Sequence, residues 1–346
     1  MAFSAILFAQ ERKDKTPVTF EEIYDEPYSV NKFFIGFQPL YGELFVSNVN
    51  AGFGLEAVYY HVDKLDFKAQ FRKTYSQKFF DFSRELANNN SDVDNATEVY
   101  RYFELGGTYH VKDFEESSKT KMYLFKNSYK GNRWSSRVPL YADVPCKVRK
   151  IYGVRLGGIM WDSSTDLNRA LTKQGLTNAD LKSGDTSLPL TQFNAATGEM
   201  DPVDVFSNIS AKGVYLGGSM SWIRNIAVNF DKFEEGVDDL MLTVYADILF
   251  SPSIKVDDVV YTTRFDDAGD PITPTTATYS VDAIKTKTFG FRLGIDGRFN
   301  RTLSWSYGGE VGMRPSLDGR QFFALFKIAF PVYGTNLDYK VESFGK

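Results

Sequence analysis

The stretch Leu65-Asp66-Phe67-Lys68-Ala69-Gln70-Phe71 alternates without a break. Leu65, Phe67, Ala69 and Phe71 point one way; Asp66, Lys68 and Gln70, continued by Arg72, point the other. A period of two marks a β-strand with one apolar and one polar face. What lies against the apolar row decides the fold. A protein core makes this strand part of a sandwich; lipid makes it part of a barrel wall.

The alternation recurs over Ala51 to Tyr59, Val99 to Val111, Val148 to Met160, Val214 to Trp222, Leu240 to Phe250, Phe289 to Phe299, Leu303 to Met313 and Phe322 to Phe330. Shorter candidates are Phe33 to Gln38, Lys119 to Phe125 and Ile226 to Phe230. Many of these runs reach the ~9–11 residues that a tilted strand needs to cross a bilayer, whereas soluble strands average ~5–6. Helical periodicity is confined to Asp166 to Gln174, with Ser164 or Thr165 as cap and Gly175 as stop. Short connections alternate with long polar ones, as in transmembrane barrels.

Composition agrees. Of 346 residues only 43% are apolar, yet 4 Trp, 20 Tyr and 30 Phe are present. The longest apolar run, MAFSAILFA at the start, is too short for a spanning helix and resembles the end of a signal peptide. A single cysteine, Cys146, excludes an intramolecular disulfide. A net charge of −4 with no basic stripe argues against nucleic acid.

Three features favour lipid over a core. Strand ends carry rings suited to interfacial girdles: Tyr59, Tyr60, Tyr75, Trp161, Trp222, Phe230, Trp305, Tyr307, Phe322 and Tyr333. The polar rows hold both charge signs at mid-strand. The run Gly319 to Phe330 is long and aromatic, and it resembles the terminal insertion strand of bacterial outer-membrane proteins. With the signal remnant and the Tyr/Phe-rich strands, the chain resembles an outer-membrane β-barrel of a Gram-negative bacterium, of the Bacteroidota type. The resemblance spans Phe33 to Phe330 without a diagnostic short motif.

The expected fold is therefore all-β: a closed antiparallel transmembrane barrel of 12 strands, or 14 if a long loop hides a hairpin. A signal remnant is expected over 1–10, a leader or plug over 11–32, the barrel over 33–331 and an extension over 332–346. Long loops are expected near 76–98, 127–145, 162–212 and 251–285. Arg101 and Arg224 sit in apolar rows, so they must lie near strand ends.

The expected lumen lining is Asp66, Lys68, Gln70, Arg72, Glu104, Arg155, Asp247, Arg292, Asp296, Arg298, Glu310 and Arg314. Their near-balanced charges suit pairing across a narrow interior better than the single-sign ring of a selective pore. No catalytic motif stands out. His61 and His110 lack a serine at strand spacing, so neither an enzyme nor a metal or cofactor site is expected. The acidic groups Asp92, Asp94 and Glu98, and Asp266, Asp267 and Asp270, match no complete calcium loop and read as solvated. Three readings follow. The chain is a narrow small-solute channel, weakly anion-preferring through Arg155, Arg292 and Arg298. Alternatively it is a structural or accessory barrel of a larger outer-membrane machine. The third is a soluble secreted sandwich or ligand-binding barrel. In the first two, the partners are outer-membrane lipid, lipopolysaccharide and, for the accessory barrel, another protein.

Overall fold

The computed structural model describes residues 19–334 except 31, 46–47, 62–63, 76–91, 125–140, 232, 234, 267 and 301–304. The expected signal remnant and most of the C-terminal extension lie outside the described residues.

Ten strands close into an antiparallel barrel. They are β1 (Phe33–Phe45), β2 (Asn48–His61), β3 (Leu65–Thr74), β4 (Arg101–Tyr123), β5 (Tyr141–Asp166), β6 (Phe206–Ile223), β7 (Leu240–Val256), β8 (Phe289–Phe299), β9 (Ser306–Met313) and β10 (Phe322–Gly334). Each pairs with its sequence neighbours, and β10 closes on β1. Both β1 and β10 reach the same rim, here the terminus end; the 167–205 and 257–288 connections lie at the opposite loop end.

The count of ten corrects the expected twelve. Of the expected strand Lys119 to Phe125, the described part to Tyr123 continues β4 and is not a separate strand. Ile226–Phe230 pairs outside the barrel, with Phe20–Asp25 and Gly236–Asp238. Alternation reveals a strand but not which sheet it joins, because the period is the same in both.

Those two segments meet beyond the barrel. β4 and β5 stay paired as far as Tyr123 and Tyr141, long after β3 has begun at Leu65 opposite Tyr109. At ~3.3 Å per residue, the hairpin from Val111 onward projects roughly 40 Å past that rim. Its apolar row, Met122, Val144, Cys146 and Val148, packs on Ile226, Val228 and Phe230 of the three-stranded sheet. The result is a small sandwich beside the terminus end, and Cys146 is simply part of its core.

The expected loops shrink accordingly. β5 runs from Tyr141 to Asp166 and β6 begins at Phe206, which trims the 127–145 and 162–212 loops. β7 runs to Val256, and a hairpin of Val259–Phe265 with Pro271–Tyr279 occupies much of 251–285. β10 continues to Gly334, into the expected extension. The expected helix is α1 (Leu167–Gln174): Asp166 caps it by accepting from Arg169 N–H at 3.3 Å, and Gly175 stops it at φ 72°. The loop-end segments fold over the barrel. Leu167, Leu171, Val203, Val259, Ile284 and Leu317 share one apolar cluster with Tyr41, Phe45, Trp161 and Phe323 of the wall.

The outer surface carries the apolar rows. Leu105, Leu156, Leu216, Ile248, Leu293 and Phe326 are each more than half exposed. Leu156, Leu216, Ile248 and Phe291 stand in register across four strands. A continuous apolar band of this kind is foreign to soluble monomers. At the terminus rim Phe33 meets Tyr59 and Tyr333 at ring distances of 6.2 and 5.8 Å, and Trp305 meets Tyr307 at 5.3 Å. Three other expected girdle rings are not at a lipid-facing rim: Trp161 is buried against Phe45, Phe230 sits in the sandwich core, and Tyr60 faces the lumen. Arg101 opens β4 and pairs with Asp162 at 3.1 Å; Arg224 follows the end of β6 and pairs with Asp238 at 3.0 Å. Both therefore sit at rims.

Candidate functional site

The twelve residues expected to line the lumen all lie on inward rows or at their ends. Nine are buried; Asp66, Lys68 and Asp296 are partly exposed. Most of them join a stack of ion pairs across the interior.

Toward the loop end, Glu43 is the hub. Arg314 reaches it at 2.6 Å, Tyr100 donates its hydroxyl to it at 2.5 Å, and Arg72 approaches at 4.0 Å. The guanidiniums lie over rings: Arg72 over Tyr102 at 4.1 Å, and Arg314 over Phe323 at 4.3 Å and Phe45 at 4.6 Å.

The middle layer centres on Arg292. It donates to Glu104 through Nη2 at 2.6 Å and to Asp247 through Nε at 2.7 Å, and it lies 3.6 Å from Glu310. Arg155 donates to the other oxygen of Asp247 at 3.0 Å. Two tyrosines pack these cations: Arg292 lies over Tyr215 at 4.4 Å and Arg155 over Tyr245 at 3.9 Å. Glycines stand opposite them and make room for the rings. Tyr215 is in register with Gly157, and Tyr245 with Gly294. A Cβ on Gly157 would come within 2.6 Å of the Tyr215 ring, and one on Gly294 within 2.2 Å of the Tyr245 ring. The Gly-apolar-polar-Leu-Gly frames at 153–157 and 290–294 thus seat tyrosines under arginines.

Toward the terminus end, Lys327 bridges Glu56 and Asp296 at 3.1 Å each, and Lys68 also pairs with Asp296. Gln38 donates to Glu56 at 3.1 Å, and Gln70 accepts from Arg72 at 3.1 Å. His110 and Asp66 meet at 3.0 Å. Beside them lies a cavity of about 80 Å³ bordered by Arg298, Tyr60, Ser219, Ser221 and Thr243.

The described part of the leader does not thread this lumen. Asn225 and Asn300, at the terminus rim, both donate to the carbonyl of Ser29, at 3.1 and 2.7 Å, and Val30 packs against Ile151, Ile223 and Met241. Ser29 and Val30 therefore lie against the terminus-side mouth.

Sequence reading missed Glu43, Tyr100, Tyr102, Tyr215 and Tyr245. Glu43 lay hidden because Pro39 breaks the alternation of β1, which shifts register between Gln38 and Tyr41. The tyrosines were hidden by their ambiguity, since a ring with a hydroxyl suits lipid, headgroup or lumen alike. Glycine in the facing strand was the available signal.

The acidic loop residues have structural roles. Asp92 accepts the Asp204 amide at 2.7 Å, and Asp266 accepts the amides of Ala268 and Asp270 at 3.0 and 2.9 Å. Asp267 lies outside the described residues. Among the described residues no cluster of three or more His, Cys, Asp or Glu side chains is placed to hold a metal. His61 is an exposed rim residue 3.4 Å from the Tyr59 hydroxyl.

No protein-family profile matches the chain, and no curated protein matches it by sequence. Among solved structures it is similar to the CymD monoaromatic hydrocarbon channel, at 8% identity over 90% of this chain and 93% of that one, with a TM-score of 0.22. It is likewise similar to the Ralstonia pickettii toluene transporter TbuX, at 8% identity over 89% and 90%, with a TM-score of 0.23. At such scores the likeness adds nothing to what the barrel itself displays.

Proposed function

We propose that this chain is an outer-membrane β-barrel that works through its two ends rather than as an open diffusion pore: a structural or accessory barrel with a sealed lumen. The membrane reading is supported by the exposed apolar band and the aromatic rim. The reading of Bacteroidota type rests on composition and the terminal strand alone. The observation that carries the sealed lumen is the Arg292 layer, where one guanidinium joins carboxylates from β4 and β7. Such a buried network holds a fixed geometry only while each member is paired. Both ends carry folded material: the apolar loop-end cap and the terminus-end sandwich.

The test is a planar-bilayer recording of the detergent-purified, folded protein beside an open general porin. The expected trace is silent, with stable partners retained on extraction in mild detergent. Regular open-channel steps from the unmodified protein would sink the sealed-lumen reading.

A gated narrow channel is the second reading. It is favoured by the polar lumen wall and by the partial exposure of Asp66, Lys68 and Asp296, at 20, 16 and 22%. That reading requires the Arg292 layer to part.

A further inference from the structure

Among the described residues seven lysine and arginine side chains reach the inner lumen, and six of them face a carboxylate: Arg72, Arg155, Arg292, Arg314, Lys68 and Lys327. Arg298 differs. It is 8% exposed, and its guanidinium lies over the rings of Phe34 at 4.9 Å and Tyr60 at 5.5 Å. Its Nη2 reaches only the Met241 sulfur, at 3.4 Å. Its Nη1 is buried with no hydrogen-bond partner. A buried guanidinium without a counter-charge is strongly disfavoured, because it has lost its water and gained no acceptor.

The same Arg298 borders the terminus-side cavity of about 80 Å³. That is room for several water molecules, or for one small anion with part of its hydration. Hydroxyls complete the wall: Ser221 and Thr243 share a 2.8 Å hydrogen bond, and either is free to turn a proton toward a guest. Solvent reaches the cavity, since the nearby Lys68 and Asp296 side chains keep 16 and 22% exposure.

We propose that this cavity binds a small monovalent inorganic anion of halide or nitrate size, held by Arg298 and the Ser221–Thr243 hydroxyl pair. The neighbouring carboxylates set the class. Glu56, Asp66 and Asp296 line the same cavity; Glu56 and Asp296 are engaged by Lys327 and Lys68, Asp66 meets His110, and none of the three lies within ion-pair distance of Arg298. They repel a doubly charged guest such as phosphate about twice as strongly as a singly charged one. Of the three arginines first suspected of anion preference, Arg155 and Arg292 are neutralised by Asp247 and Glu104. Arg298 is the one of the three with no carboxylate within ion-pair distance among the described residues. Binding here is independent of conduction, so this inference and the sealed lumen stand or fall separately.

The test is chlorine-35 NMR line broadening of sodium chloride by the full-length protein in detergent, with nitrate as competitor. The unmodified protein is expected to give excess broadening that nitrate removes. Arg298→Gln is expected to lower it at least fivefold. Met241→Glu is expected to do the same, because it places a carboxylate where the sulfur now meets Arg298. Unboiled gel mobility reports whether each variant keeps its barrel. If Arg298→Gln misfolds, Met241→Glu carries the comparison; if both do, anomalous diffraction from bromide-soaked crystals of the unmodified protein decides. Folded variants that broaden the line like the parent, or bromide density absent beside Arg298, overturn the proposal.

Discussion

Lys68 of β3 and Asp296 of β8 form an ion pair across the lumen, from strands five apart in a closed ring of ten. No pair of wall residues can be further apart around such a ring, so the contact spans the interior. With Lys327 and Glu56 it forms one rung, below the Arg292 rung. Removing it by Lys68→Ala with Asp296→Ala is expected to enlarge the terminus-side cavity yet leave bilayer recordings silent. Conductance from that double variant would show that the Arg292 layer is no seal.

The Arg292 rung itself is expected to hold the barrel together. Arg292→Met leaves Glu104 and Asp247 buried without their nearest cation, which typically costs about 3–5 kcal/mol. Adding Glu104→Gln removes one stranded charge and should recover part of the loss. Urea-dependent unfolding from liposomes reads both. Equal stability of Arg292→Met and the parent would mean that the network contributes only shape.

The lipid-facing reading makes a depth-dependent prediction. Leu293→Arg, in the middle of the exposed band, is expected to cost ~2–4 kcal/mol, and Tyr333→Arg at the rim only ~0–1 kcal/mol. The same folding assay measures both. In a water-facing sheet the two changes would be equally mild.

Gly294 makes room for Tyr245. A methyl group there meets the ring at 2.2 Å, so Gly294→Ala is expected to destabilise by ~1–3 kcal/mol through overpacking. Tyr245→Leu in the same chain should relieve the clash. Thermal loss of the unboiled gel band reports the order of the three proteins.

In the loop-end cap, burial and the nearby Asp92 carboxylate raise the Asp204 pKa above its usual value. A carboxyl whose folded pKa exceeds its unfolded pKa favours folding in its protonated form. Its contribution is present at low pH and lost as pH rises through the folded value. Asp204→Asn keeps an acceptor for Asn168, now 2.9 Å away, and removes the charge. The variant cap is expected to resist limited proteolysis better than the parent at pH 8 and equally at pH 4. A parent cap already as resistant at pH 8 would refute the repulsion.

Much of this was legible in order along the chain. The rows of β3, β6, β7, β8 and β10 read correctly because period-two alternation is a local property of the backbone. The helix stop at Gly175 was legible for the same reason, since a left-handed φ favours glycine. The sandwich was not, because Cys146, Val148 and Ile226 reveal nothing locally about meeting outside the barrel. Nor was the hub at Glu43, whose partners Arg314 and Tyr100 come from distant loops.

By itself the sequence determined an all-β chain with one apolar and one more polar row per strand, and charges of both signs among the polar rows. Those are consequences of side-chain type and the two-residue repeat. Only tertiary structure decided how many strands close the ring, and with it how wide the interior is. Ring size sets whether Lys68 can reach Asp296 and whether Arg292 can reach Glu104. In a wider barrel the same residues would line open water; in ten strands they meet across the interior. The closure also left Arg298 without a carboxylate, a solitude that no single strand of sequence records.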